Sequence, residues 1–170
     1  LQALKLIVPN LPKIVTEVED KSAYKNMALG AYLAGKAINI AKTTAPHAFS
    51  YYLTKRFNLP HGHAVAIFLT SFIDYNFYLN NNTKINYEYK NHILFEELNK
   101  LLSSKSSSNS LSSRVELFIL SLGIEIDINK LGISKEEIIL ALKSGNKQRL
   151  KNNPRLFIFD DFCNETSILS

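Results

Sequence analysis

Apolar side chains recur along this chain at helical rather than strand spacing, and clear punctuation cuts them into a series of helices. Pro9 and Pro12 are expected to end the first helix and restart it, and Asp20 or Ser22 then caps a long helix running to about Thr43. That helix carries Ala23, Met27, Gly30, Ala31, Ala34, Ala37, Ile38 and Ala41 near helical spacing. Such small side chains let neighbouring helices approach closely, so it is predicted to be the buried central helix. Pro46 suits the first turn of a short helix, and Pro60 does the same for a helix through Ala64, Ile67, Phe68, Phe72 and Ile73 that is apolar nearly all round and should be buried.

The second half reads similarly. A polar turn at Asn80–Asn82 leads to an amphipathic helix with Ile85, Tyr89, Ile93, Leu94, Leu98, Leu101 and Leu102 inward. Ser103 to Ser113 reads as a flexible serine-rich connection. A helix from Arg114 to Leu122 stops at Gly123, and Ser134-Lys135-Glu136-Glu137 has the pattern of a capping box opening Ile138 to Leu142. A last short helix begins near Asp160 or Asp161. With neither a fixed-period repeat nor alternating strands, residues 1–170 are expected to form a single all-α helical bundle.

Composition narrows the function. At 170 residues and 46% hydrophobic the chain can bury one core, and it has no apolar run of membrane-spanning length. The single cysteine, Cys163, excludes an intrachain disulfide framework and, with no signal peptide in view, the expected compartment is the cytoplasm. The net charge of +5 comes from bases scattered among acids, which reads as a solvated surface rather than a nucleic-acid face. Lys147, Arg149, Lys151 and Arg155 form the least diffuse cluster, around Asn152-Asn153-Pro154, and could hold an anionic group or simply line a polar loop. Leu1-Gln2-Ala3-Leu4 reads as a helix already under way, so the chain is expected to be a fragment.

The candidate chemistry lies in Pro46-His47 and Pro60-His61, two histidines fourteen positions apart, each directly after a proline. An imidazole in an apolar helical stretch needs a partner, and a shared metal is one such partner. On one straight helix the two backbones would lie about 21 Å apart, so the chain must turn back at Asn58-Leu59-Pro60 if they are to meet, with the first helix ending near Leu53 or Thr54. Hydrogen-bonded core or capping histidines explain the same spacing. His63 should point elsewhere and support the pair, and His92, beside an apolar stripe, is left out of the ligand set.

The run Ala28-Leu29-Gly30-Ala31-Tyr32-Leu33-Ala34-Gly35, then His47, Leu59-Pro60-His61-Gly62-His63-Ala64-Val65-Ala66 and Asp74-Tyr75-Asn76 resembles the carboxy-terminal helical domain of the iron-containing alcohol dehydrogenases. Leu120-Ser121-Leu122-Gly123-Ile124, Gly132-Ile133-Ser134-Lys135-Glu136-Glu137 and Asn153-Pro154-Arg155 follow in that family's order, so the resemblance covers nearly the whole chain. It implies an NAD(P)-dependent alcohol dehydrogenase or aldehyde reductase with Fe2+, or sometimes Zn2+, held by one aspartate and three histidines. His47 and His61 match two of those ligands, and the other two are expected upstream of Leu1. The glycines make no pyrophosphate-binding loop, so the amino-terminal nucleotide-binding domain is also expected outside this chain, which alone would be inactive.

Members often carry another histidine four positions after the first ligand; here Tyr51 stands there and is the candidate catalytic group. Lys42-Thr43-Thr44-Ala45-Pro46-His47-Ala48-Phe49-Ser50-Tyr51 resembles the branch that includes phosphonoacetaldehyde reductases, which would make Lys151 and Arg155 candidates for an anionic substrate group. The implied partners are a small alcohol or aldehyde, the missing amino-terminal domain and a homo-oligomeric copy, with neither nucleic acid nor membrane. The competing reading is a noncatalytic helical interaction domain whose residues 23 to 41 pack on a partner chain.

Overall fold

A computed structural model describes residues 1–16, 19–77, 79, 83–86, 91–102 and 110–169. The helices among them are α1 (Gln2–Thr16), α2 (Lys21–Ala41), α3 (Ala45–Phe57), α4 (His61–Phe77), α5 (Asn91–Leu102), α6 (Leu111–Ser121), α7 (Lys135–Lys143), α8 (Lys147–Leu150) and α9 (Phe159–Glu165). No strand appears among the described residues; the only β-type pairing is an isolated bridge between Ile85 and Arg155. The all-α reading therefore holds.

α4 is the central helix. It buries Ala64, Ala66, Ile67, Phe68, Ser71, Phe72, Ile73 and Tyr75, and its two sides serve two apolar clusters. One cluster joins it to Phe49 and Leu53 of α3, Ile138 and Leu142 of α7 and Phe162 of α9. The other joins Ile73 to Val8 of α1, Leu102 of α5 and Leu111 and Phe118 of α6. Phe49 lies fully buried, with ring centroids 5.9 Å from Phe68, 5.6 Å from Phe72 and 4.8 Å from Phe157. Gly145 closes this cage, because a Cβ there would overlap the Phe49 ring.

The prediction that α2 is buried fails. Among its residues only Ala23 and Gly30 are buried, and Tyr32 is 62% and Ile40 83% exposed. The small-residue face does allow one close approach, since Ile7 of α1 sits where a Cβ on Gly30 would go. Beyond Gly30 the described residues leave the helix largely uncovered, because α2 packs chiefly on α1.

Other boundaries also move. α1 runs through Pro9 and Pro12 instead of breaking, helped by Asn10, whose Nδ2 donates to the Leu6 carbonyl at 2.8 Å and whose Oδ1 accepts from Asn26 of α2 at 3.3 Å. Ile85 lies outside α5, in its bridge, and Ile93 and Leu94 are exposed rather than inward. Ser110 caps α6 by accepting from the Ser113 amide, so the helix starts within the stretch read as a connection. Asn80–Asn82, Tyr89, residues 103–109 and the His92 side chain lie outside the described residues. Asp20 and Ser134 cap α2 and α7 as expected, and Gly123 follows α6 at φ 77°. The four-residue α8 forms inside the stretch that the sequence presents as a polar loop.

α2 ends abruptly at Lys42, whose φ of 62° and ψ of −179° place a lysine in backbone space that glycine normally occupies. Such a conformation costs on the order of 1–3 kcal/mol and persists only where surrounding contacts enforce it. The Lys42 amide donates to the Ile38 carbonyl at 2.9 Å.

Candidate metal centre

Two consecutive helix starts create the site. Pro46 sits in the first turn of α3, where its missing N–H has no helical acceptor to lose, and His47 follows it. α3 continues to Phe57, three residues beyond the expected Thr54, and Asn58 reverses the chain in the left-handed conformation at φ 54° and ψ 29°. Pro60 then leads straight into His61, the first residue of α4. A three-residue link thus returns the start of α4 to α3.

The reversal brings the His47 and His61 ring centroids to 5.2 Å with 67° between ring planes. Two imidazoles sharing a tetrahedral ion through metal–nitrogen bonds of about 2.0–2.1 Å have centroids about 5 Å apart, so the pair fits a common divalent metal. Burial first, then the neighbouring His61 and the charge of Arg149, push the half-buried His47 imidazole below its ordinary pKa. A neutral imidazole is the form that donates a lone pair to a metal. Among the described residues no third His, Cys, Asp or Glu completes the set.

Tyr51, one turn after His47, stacks on His61 with centroids 5.1 Å apart and 27° between planes. Tyr51 is 45% exposed, and the guanidinium carbon of Arg149, on α8, lies 5.1 Å from its ring centroid. Arg149 Nη1 donates to Thr43 Oγ1 at 2.6 Å, and Asn152 Nδ2 donates to the Thr43 carbonyl at 3.2 Å, tying α8 to the segment that leads into His47. His63 turns away: its Nε2–H donates to the Glu125 carbonyl at 2.6 Å and braces the first turn of α4.

The two anion candidates fall elsewhere. Arg155 is 3% exposed, and its guanidinium is spent on Glu165 through bonds of 2.6 and 2.7 Å, on the Tyr75 carbonyl at 3.0 Å, and on the Tyr75 ring face at 3.7 Å. A cation so enclosed has no face left for a substrate, and its role is to hold the 153–158 segment on α4. Lys151 is exposed and borders a separate shallow cleft with Leu150, Leu156 and Phe157. The guanidinium at the histidines belongs to Arg149, a member of the basic cluster around Asn152-Asn153-Pro154 whose contact with Thr43 no sequence spacing announces.

Comparison with known proteins places this geometry in a family. The model of the Fe-containing alcohol dehydrogenase family, C-terminal, matches residues 1–164. The chain belongs to that family. It is 28% identical over 159 residues to 1,3-propanediol dehydrogenase of Klebsiella pneumoniae, covering 91% of this chain and 39% of that protein. It is 35% identical over 74 residues to phosphonoacetaldehyde reductase of Streptomyces viridochromogenes, covering 44% of this chain and 19% of that protein. Its fold matches sulfoacetaldehyde reductase from Bifidobacterium kashiwanohense in complex with NAD+, with a TM-score of 0.72 at 24% identity over 95% of this chain and 39% of that one. The chain thus spans about two fifths of the length of such relatives.

Proposed function

We propose that these residues are the metal-binding part of an NAD(P)-dependent alcohol dehydrogenase or aldehyde reductase, with His47 and His61 as two of the metal's ligands. The observation that carries this reading is the 5.2 Å ring separation of two histidines set at successive proline-started helices, in a chain of the Fe-containing alcohol dehydrogenase family. The remaining ligands and the nucleotide-binding domain belong to the rest of a longer parent, consistent with the greater length of the relatives. The exposed apolar residues Tyr24, Tyr32 and Ile40 of α2 are read as packing against that remainder. By itself the described set supplies half of a tetrahedral site, so the 170-residue chain is inactive alone.

An Fe2+ or Zn2+ ion held there would polarise the carbonyl oxygen of an aldehyde, or the hydroxyl of the corresponding alcohol, while the nicotinamide exchanges hydride with carbon. His47 and His61 offer uncharged donors and leave the ion's positive charge intact. Tyr51 fixes the His61 ring by stacking and offers a phenol O–H to a substrate oxygen, a hydrogen bond that favours charge building on that oxygen during reduction. Buried Phe49 and Leu53 anchor α3 beneath the histidines, so the pair is positioned by the core rather than by a loop.

The substrate reading is a short aldehyde carrying an acid group, phosphonoacetaldehyde in particular. It is supported by the 35% identity to a phosphonoacetaldehyde reductase and by Arg149 near the histidine pair, which forms no ion pair among the described residues. Such a reductase would work in the cytoplasm, where reduced nicotinamide is at hand. The test is aldehyde-dependent NADH or NADPH oxidation by the full-length parent, before and after chelation. The reading requires activity that is lost with the metal and restored by Fe2+ or Zn2+; activity indifferent to thorough chelation would reject it.

A further inference from the structure

Between the end of α2 and α8 lies a cleft of about 550 Å³ lined by Lys42, Thr43, Asn146, Gln148, Arg149 and Asn152, together with two α2 residues. Its charged lining is entirely basic. Among the described residues neither Arg149 nor Lys42 forms an ion pair: Arg149 is held by Thr43 Oγ1, and the Lys42 ammonium donates to the Asn39 carbonyl at 2.9 Å. Lys42 is moreover kept in a backbone conformation that suits glycine. The cleft is linked to the histidines through Arg149, whose guanidinium lies 5.1 Å from the centre of the Tyr51 ring that stacks on His61.

We propose that this cleft holds the tetrahedral oxyanion end of the aldehyde substrate, and that Arg149 and Lys42 determine specificity for it. The inference rests on the reductase reading of the histidine pair and adds to it the residues that select the substrate. Arg149 is oriented before any ligand arrives, since Thr43 fixes one edge of the guanidinium and Tyr51 one face, and among the described residues its other N–H groups are left for oxyanion oxygens. Lys42 adds a second positive charge, and the amides around it add neutral donors. A short carbon chain then carries the carbonyl past Tyr51 towards His47 and His61.

The experiment uses the full-length parent as wild type, Arg149→Gln, Arg149→Lys and Lys42→Gly. Methylphosphonate binding, followed by calorimetry, should weaken by at least about tenfold in Arg149→Gln and partly recover in Arg149→Lys. Lys42→Gly should weaken binding while keeping or raising the melting temperature, because the backbone strain is relieved. In turnover, the ratio of kcat/KM for phosphonoacetaldehyde to that for propanal should fall by at least about tenfold in Arg149→Gln, with the loss in KM. No methylphosphonate binding at tens of millimolar, or an unchanged ratio, overturns the proposal. A rise confined to the KM for NADPH also overturns it, by giving the cleft to a cofactor phosphate. Arg149-dependent methylphosphonate binding in a protein that reduces no aldehyde with either nicotinamide supports the oxyanion site and rejects the reductase reading.

Discussion

Asn153 and Asn76 grip each other at both ends of their carboxamides: Asn153 Nδ2 donates to Asn76 Oδ1 at 2.7 Å, and Asn76 Nδ2 donates to Asn153 Oδ1 at 3.2 Å. Asn153 Nδ2 also donates to the Arg155 carbonyl at 2.7 Å, and Asn86 Nδ2 donates to the Asn153 carbonyl at 2.8 Å. This knot pins the end of α8 to α4, and through it sets where Arg149 meets Tyr51.

Asn153→Ala should therefore destabilise the fold by about 2–3 kcal/mol, since a fully buried residue loses several hydrogen bonds at once. Urea unfolding measures it. A cost below about 0.5 kcal/mol would show that the knot is dispensable.

Gly145→Ala should cost about 1–3 kcal/mol, because the new methyl must displace the Phe49 ring from a closed aromatic cage. Phe49 lies two residues after His47, so the same substitution in the full-length parent should weaken metal retention. Thermal melts and metal analysis of that variant check both effects.

Glu165→Gln leaves the Arg155 guanidinium buried without its counter-charge, and should cost about 3 kcal/mol. The hydrogen bonds from Arg155 hold the Glu165 carboxyl below its ordinary pKa. Its contribution to stability is thus present above the ordinary carboxylate value and is lost as pH falls through the depressed folded value. Unfolding free energies measured from about pH 7 down to about pH 3 should fall less steeply for Glu165→Gln than for wild type. Parallel curves would contradict the assignment.

The local devices were legible in the sequence because each is a residue type acting within its own turn. Pro46, Pro60, the turn at Asn58-Leu59-Pro60 and the Ser134 cap are legible at their positions, Asp20 is one of two caps the sequence offers for α2, and the turn carries with it the approach of His47 to His61, although α3 runs three residues further than expected. What stayed hidden depends on distant partners. Arg149 meets Thr43 across 106 positions and Tyr75 meets Leu156 across 81, and no periodicity encodes either. Arg155 looked like a free cation because nothing in its type announces a partner ten residues on. The α2 face misled for another reason: small residues suit close packing equally well whether the covering surface lies in these residues or beyond them.

The 170-residue chain, prepared alone, should hold Fe2+ or Zn2+ weakly and oxidise no NADH or NADPH with any aldehyde. Two neutral imidazoles leave an ion short of ligands and of compensating charge. Micromolar or tighter metal binding by the isolated chain would mean that it completes the site by other means.

The most direct test of the metal role is the metal content of the full-length parent purified as wild type, His47→Ala and His61→Ala, with unfolding curves run alongside. The account predicts about one divalent ion per wild-type subunit, and loss of most of that metal and of aldehyde reduction in either variant while the cooperative unfolding transition remains. Wild-type metal content and turnover in either substituted protein would contradict it.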